Sequence, residues 1–283
     1  MKKLRVLFAA SAVISAMAVV PACAAPTVPV SATGVIGHEQ NPIVAANNEF
    51  GLAMTGQLMN YQEHITPGPS DTESGWMPGF AVKGSYMGSN GFYTALRYDY
   101  SSGNIAYHGA LQGSAGFVPY NGTDSASTQR LLGRFGYGWS LAGNMMLTPY
   151  AAVGWQHWNR HLTGPYGYTE TYNAALVGAG AMFQYACDPR LVATTNVEML
   201  AVAGGGMTPN FANGLFGSTS FGASGEEKVS IDADYRITGP LHLYGGLSYT
   251  HFNYTGGSLK HGFREPLSST NQFGMDLGLG YSF

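Results

Sequence analysis

Charge is scarce in this chain. Only 10% of its 283 residues are Asp, Glu, Lys or Arg, where an ordinary soluble domain carries about a quarter. Low charge alone is compatible with disorder, but a 45% hydrophobic content excludes a chain unable to bury apolar surface. Cysteine is rarer still, with Cys23 and Cys187 the two examples. Beyond residue 25 no run of about twenty apolar residues occurs, so no spanning helix is expected there. Glycine, with 40 residues, and aromatics, at 13%, are in excess.

The N-terminus explains the one apolar run. Lys2, Lys3 and Arg5 precede the stretch Val6 to Val20, and Ala22-Cys23-Ala24-Ala25 follows it. That order is a secretory signal peptide over residues 1–25. Cleavage after Ala24 or Ala25 removes Cys23; the alternative, a lipidated Cys23, is opposed by Pro21. Loss of three positive charges takes the formal net charge from −3 to −6, which excludes nucleic acid as a natural partner. Cys187 is then the sole thiol, so no internal disulfide and no Cys-based metal site is expected, only a lone thiol in a turn.

Residues 26–48 show no sustained periodicity and read as a periplasmic N-terminal linker. From residue 49 to the end the chain alternates. Phe50, Leu52, Met54 and Leu58 are interleaved with Gly51, Ala53, Thr55 and Gln57, and Phe92, Leu96, Tyr98 and Tyr100 with Tyr93, Ala95, Arg97 and Asp99. The last stretch sets Phe273, Met275, Leu277, Leu279, Tyr281 and Phe283 against Gln272, Gly274, Asp276, Gly278, Gly280 and Ser282. A period of two assigns the two sets to opposite faces of a strand. Ten such stretches occur, separated alternately by short turns near 87–90, 142–144, 186–189 and 238–240 and by Gly/Ser/Asn-rich segments at 62–76, 101–128, 160–169, 202–225 and 254–271.

The charges decide which face is which. A soluble barrel or sandwich would show Lys83, Arg97, Asp99, Arg134, Glu198, Asp232 and Asp276 to water and pack Tyr, Trp and Phe from ten strands into one interior. Aromatics instead gather near the strand ends, including Tyr86, Trp139, Trp155, Tyr235, Tyr249 and Phe283, as girdles at a lipid interface do. The expectation is an all-β protein, a transmembrane antiparallel up-and-down β-barrel over residues 49–283. Ten strands are expected, with eight as the alternative, and both termini and the short turns are periplasmic.

The signal peptide, the alternating stretches and the terminal Gly-Tyr-Ser-Phe resemble the Gram-negative outer-membrane β-barrel superfamily. That resemblance implies outer-membrane lipid as surroundings, Tyr281 and Phe283 as an assembly signal read by the barrel assembly machinery, and nothing specific about activity. It leaves an anchored, non-enzymatic cell-surface protein with extracellular loops for contact or mouth shielding as the first reading. A narrow porin-like channel is the second, and an omptin-like or lipid-modifying hydrolase the third.

The inward polar set expected in the lumen is Lys83, Arg97, Asp99, Arg134, Glu198, Lys228, Asp232, Asp234, Arg236 and Asp276, with Asp99 level with Arg134 and Glu198 level with Ser230. Buried charges must pair or stay hydrated, so a polar plug and a lined pore are both open. Omptin proteases use two acidic pairs near the outer rim, one of them Asp with His; here Asp232 and Asp234 lie low and no Asp-x-His occurs. A lipid A deacylase needs His beside Ser, which neither His157 nor His251 offers in sequence. His157 and His161 flank Arg160 as a polar strand end, too few ligands for a metal. No cofactor is implied. The aromatics of the outer segments, Tyr107, Phe117, Tyr120, Tyr166, Tyr168, Phe211, Phe216, Phe221 and Phe263, are the candidate contact residues; the ligand is unknown.

Overall fold

The structure is a computed structural model, and it describes residues 41–65, 68–113, 116–210, 217–260 and 264–283. The signal peptide and most of the linker therefore lie outside the described residues, as do Phe211, Phe216 and Phe263. Ten long strands form the wall: β1 (Glu49–His64), β2 (Thr72–Met87), β3 (Phe92–Gly113), β4 (Gly116–Tyr137), β6 (Met145–Leu162), β7 (Tyr168–Ala186), β8 (Leu191–Asn210), β10 (Gly225–Thr238), β11 (Leu241–Asn253) and β12 (Leu267–Ser282). Two short pieces, β5 (Trp139–Ala142) and β9 (Thr219–Ser220), pair with β6 and β8. Each long strand pairs antiparallel with its neighbour, β8 with β10, and β1 closes the ring on β12 from Glu49↔Ser282 to His64↔Leu267. Closure leaves no unpaired edge in the wall, which is what permits a sheet in hydrocarbon.

The outward parity carries the lipid-facing surface. Phe50, Leu52, Met54, Phe80, Leu96, Phe135, Val153, Val177, Leu247, Met275, Leu277 and Leu279 are all exposed. That belt ends at one level. Above it the same parity turns polar, and the row Ser74, Asn60, Asn271 and His251 is joined by ladder pairing. On the far side Gln129, His157 and Asn173 form the matching row.

Here the structure corrects the sequence reading. The segments taken as outer loops at 62–76, 101–128, 160–169, 202–225 and 254–271 contain much strand. β3 and β4 run as a continuous hairpin from Phe92↔Tyr137 to Gly113↔Gly116. Once the wall rises out of lipid, its outward residues must face water, so a polar composition marks the end of the membrane and not the end of the strand.

Of the segment read as a linker, residues 41–48 are described, and they carry structure. Pro42–Ala46 form a short helix, α1, capped by the Asn41 side chain accepting from the Ile43 amide at 2.9 Å, with proline at the first turn. Ile43 and Ala45 are buried. Asn47 donates to the Gln184 side chain at 2.8 Å and Asn48 to the Met87 carbonyl at 3.0 Å. The segment therefore sits in the end of the barrel that carries the short turns.

Candidate functional site: a lumen crossed at three heights

The interior is polar in the middle and packed at both ends. At mid-height Arg97 on β3 donates to Asp99 on the same strand and crosses the lumen to Asp276 on β12 at 2.8 Å. Arg130 on β4 reaches Glu198 on β8 at 2.9 Å and Glu226 on β10 at 2.5 Å, and Arg134 meets Glu198 at 2.8 Å. Tyr150 adds its hydroxyl to Glu198 at 3.0 Å. Asp99 and Glu198 each meet two nitrogens of one guanidinium, the geometry in which buried ions are best compensated, while Asp276 and Glu226 each meet one. Around them lies a chamber of about 240 Å³, lined also by Gln57, Lys83, Thr128, Lys228 and Asp232. Close approach of backbone makes the remaining room: Gly180 and Gly136 lie against Tyr150, and Gly51 and Gly278 against Tyr244.

Above the chamber the lumen is filled by aromatics. Trp158 on β6 packs edge-on to Tyr61 on β1 at 5.0 Å and to Phe252 on β11 at 6.3 Å between centroids. Tyr172 stacks near Trp158 at 4.9 Å, and Phe221 lies on Tyr254 at 4.3 Å. Met59, Met77 and Trp158 have no solvent exposure.

Beside this layer Arg160 is the hub of an acidic cluster. It pairs with Glu63 at 2.9 Å and Glu170 at 2.6 Å, also with Glu73, and receives Asp71 and Asp124 at 3.9 and 4.0 Å. It also lies over the Tyr61 ring at 4.4 Å. One guanidinium cannot neutralise so many carboxylates. Burial pushes Asp71 and Glu73 up to about 8, Glu170 to about 7 and Glu265 to about 9, with neighbouring acids adding to the shift. Glu265 is wholly buried and neither of its carboxyl oxygens has a hydrogen-bond partner.

Below the chamber Lys83 pairs with Glu49 and rests over the Tyr244 ring at 3.5 Å. Asp232 accepts from Ser230 at 2.8 Å. Asp234 Oδ1 faces His242 Nδ1 at 2.5 Å, and His242 Nε2 faces Ser282 Oγ at 2.9 Å. The Ser–His–Asp order is that of an acyl-transfer relay, yet the amides of Ser282 and Phe283 are spent on the carbonyls of Pro240 and Asn48. The oxyanion hole such chemistry requires is not formed by these two amides.

Nine of the ten residues expected in the lumen are inside it, with different partners. Asp99 stands opposite Arg130, not Arg134, and Glu198 opposite Lys228, not Ser230. Counting from the turns misjudged the register by up to four residues because the turns differ in length. Arg236 does not join the network; it donates to the Pro189 carbonyl at 2.8 Å at the short-turn rim. Cys187 is disulfide-bonded, which corrects the lone-thiol expectation. That expectation removed Cys23 from the count along with the leader, and Cys23 lies outside the described residues.

The acidic cluster was missed, because Glu63, Asp71, Glu73, Asp124 and Glu265 fall in segments read as loops, Glu170 stands just past the end of one, and Arg160 was read only as part of a polar strand end. Parity could have found part of it, since Gln156, Trp158 and Arg160 keep the inward face of β6. His157 and His161 take the other face and hydrogen-bond to Asn173 at 2.9 Å and Thr169 at 2.8 Å. Of the outer aromatics, Tyr107 and Phe221 turn inward, while Phe117 and Tyr166 are exposed. Tyr281 and Phe283 project outward at the short-turn end.

No family model and no curated protein matches the chain. Among solved structures it is similar to the outer membrane protease OmpT from Escherichia coli, with a TM-score of 0.51 at 10% identity, covering 84% of this chain and 98% of that one. Neisserial surface protein A aligns with a TM-score of 0.37 at 8% identity, over 83% of this chain and 97% of that one. Ail of Yersinia pestis aligns with a TM-score of 0.33 at 12% identity, over 84% and 99%. The fold is that of the outer-membrane β-barrel proteins, in a closed ten-stranded antiparallel form.

Proposed function

We propose that this chain is a non-enzymatic outer-membrane anchor whose closed barrel displays extracellular hairpins for contact with the outside. The observation that carries this reading is the threefold crossing of the lumen: α1 below, the Arg97, Arg130 and Arg134 ion pairs in the middle, and the Trp158 layer with Arg160 above. A conduit would need a continuous wet path, and packed side chains with no exposure block one. What the wall presents outward differs in kind. Phe117 and Val118 at the tip of the β3–β4 hairpin and Tyr166 beyond β6 are each more than half exposed, at 52%, 59% and 59%, and exposed apolar groups at hairpin tips favour contact.

OmpT is described as a protease, and that reading is weaker here. Of the described histidines above the lipid belt, His108, His157, His161 and His251 hydrogen-bond to Asn121, Asn173, Thr169 and Asn271, not to a carboxylate. Export by residues 1–25 and recognition of Tyr281 and Phe283 by the barrel assembly machinery complete the proposal.

Purified protein in planar bilayers should give a flat baseline; steady stepwise currents from the wild type would overturn the closed-anchor reading. Trimming residues 109–121 removes the hairpin tip but leaves Ile105, Tyr107 and Asp124 in the upper layer. Cells displaying the trimmed barrel should attach less to protein-coated surfaces than cells displaying the intact one. Equal attachment would count against the contact role.

A further inference from the structure

The lower end of the lumen holds a cluster that neither the ion pairs at mid-height nor the display of hairpins uses. Glu49 opens β1, Asp234 lies near the end of β10 and His242 near the start of β11. All three are buried, and a ligand atom from each lies within 4.8 Å of the others. We propose that Glu49, Asp234 and His242 form a binding site for a divalent transition-metal ion of the Zn²⁺ class.

Three observations beyond acidity support it. Glu49 has no solvent exposure, and apart from the Lys83 ammonium at Oε1 no hydrogen-bond donor reaches its carboxylate; Asp234 Oδ2 has no donor at all. Buried oxygens of this kind are costly unless a cation satisfies them. Next, the strand between the contributing strands is cut away: a Cβ on Gly280 of β12 would collide with Glu49 Oε2 and stand 3.5 Å from the His242 Cβ. The glycine opens the cradle in which Glu49 reaches across β12 toward β11.

Last, the imidazole is oriented. Ser282 Oγ donates to the Ala45 carbonyl at 3.3 Å, which leaves its lone pair to receive Nε2–H of His242 at 2.9 Å. The unprotonated Nδ1 then faces Asp234 Oδ1 at 2.5 Å. With Nε2–H given to Ser282, the Nδ1–Oδ1 approach calls for either a shared proton or a metal ion at this point.

The donor set names the class of ion. One imidazole and two carboxylates suit zinc and its neighbours, whereas Ca²⁺ and Mg²⁺ take oxygen ligands. Ligand atoms bound at about 2.0–2.2 Å in a tetrahedron stand about 3.4 Å apart, so atoms that now lie within 4.8 Å of one another would adjust around the ion, with His242 and Asp234 moving apart, and leave a fourth position open. Ser282 is the outer partner that fixes the ring. Two carboxylates against the single Lys83 ammonium leave one negative charge for the ion to offset. Lys83, displaced from Glu49, keeps its place over the Tyr244 ring.

The test is a titration of folded, EDTA-stripped full chain with Zn²⁺ against a chromogenic chelator, with Mg²⁺ as control. One Zn²⁺ per chain is expected and no Mg²⁺. His242→Ala and the isosteric Asp234→Asn should abolish binding, and Ser282→Ala should weaken it roughly 10- to 100-fold. Lys83→Met, which removes the competitor for Glu49, should tighten it. Gel mobility of the unboiled protein confirms that each variant is folded. The proposal fails if wild type binds no Zn²⁺, in which case a proton alone holds the His242–Asp234 pair. It also fails if Asp234→Asn binds Zn²⁺ as wild type does, or if Lys83→Met does not tighten it.

Discussion

Arg160 is the residue on which the outer end of the barrel depends. It holds carboxylates from β1, β2 and β7 through one guanidinium. Removing one partner of a buried ion pair leaves the others uncompensated at about 3–5 kcal/mol. Arg160→Ala should destabilise the barrel by that order in urea unfolding, and Arg160→Lys by less, because the ammonium lacks the fork. The acids around it carry a pH dependence of definite sign. Asp71, Glu73, Glu170 and Glu265 have their folded values raised above the ordinary carboxylate range, to between about 7 and 9. The fold thus favours their neutral forms. That contribution is complete below about pH 4 and is lost as pH rises through 7 to 9. Amide exchange in residues 61–73 and 158–172 should quicken between pH 6 and pH 9.5, after correction for the intrinsic rate, while mid-barrel amides stay protected. At this scale the sequence was partly legible. Parity assigned Arg97, Asp99, Arg134 and Glu198 to the lumen, but which of them touch depends on register, and no residue pattern on a single strand encodes that.

At the scale of elements, the alternation of apolar and polar residues marked the lipid belt well and the strand ends poorly. β3 continues through Ser102-Gly103-Asn104 because the backbone ladder to Ser125-Ala126-Ser127 persists in water as it does in lipid. α1 was illegible for another reason: a five-residue helix offers too few positions for a periodicity to emerge, and its stability comes from Ile43 and the cap. Burial of such a side chain is worth about 1.5–3 kcal/mol. Ile43→Asp should therefore release α1. A cysteine placed at residue 44 would then label rapidly with a water-soluble maleimide in the variant and slowly in the parent, with the barrel folded in both.

The whole molecule is a ring closed by its first and last strands, with ladder pairing from Glu49↔Ser282 to His64↔Leu267. Such a ring should stay compact in detergent until boiled, and unboiled samples should run ahead of boiled ones on a gel. Identical migration would contradict closure. Closure also sorts the charges by chain half. At mid-height the guanidiniums Arg97, Arg130 and Arg134 lie on β3 and β4, while their cross-lumen carboxylates Glu198, Glu226 and Asp276 lie on β8, β10 and β12. Before the seam zips, the early half of the sheet therefore shows a mainly basic face, with Asp99 as the exception, and the late half a mainly acidic one, with Lys228 as the exception. The ties that later lock the cylinder are, in the open sheet, an attraction that curls its two ends toward each other, so the lumen charges guide assembly before they hold the finished barrel.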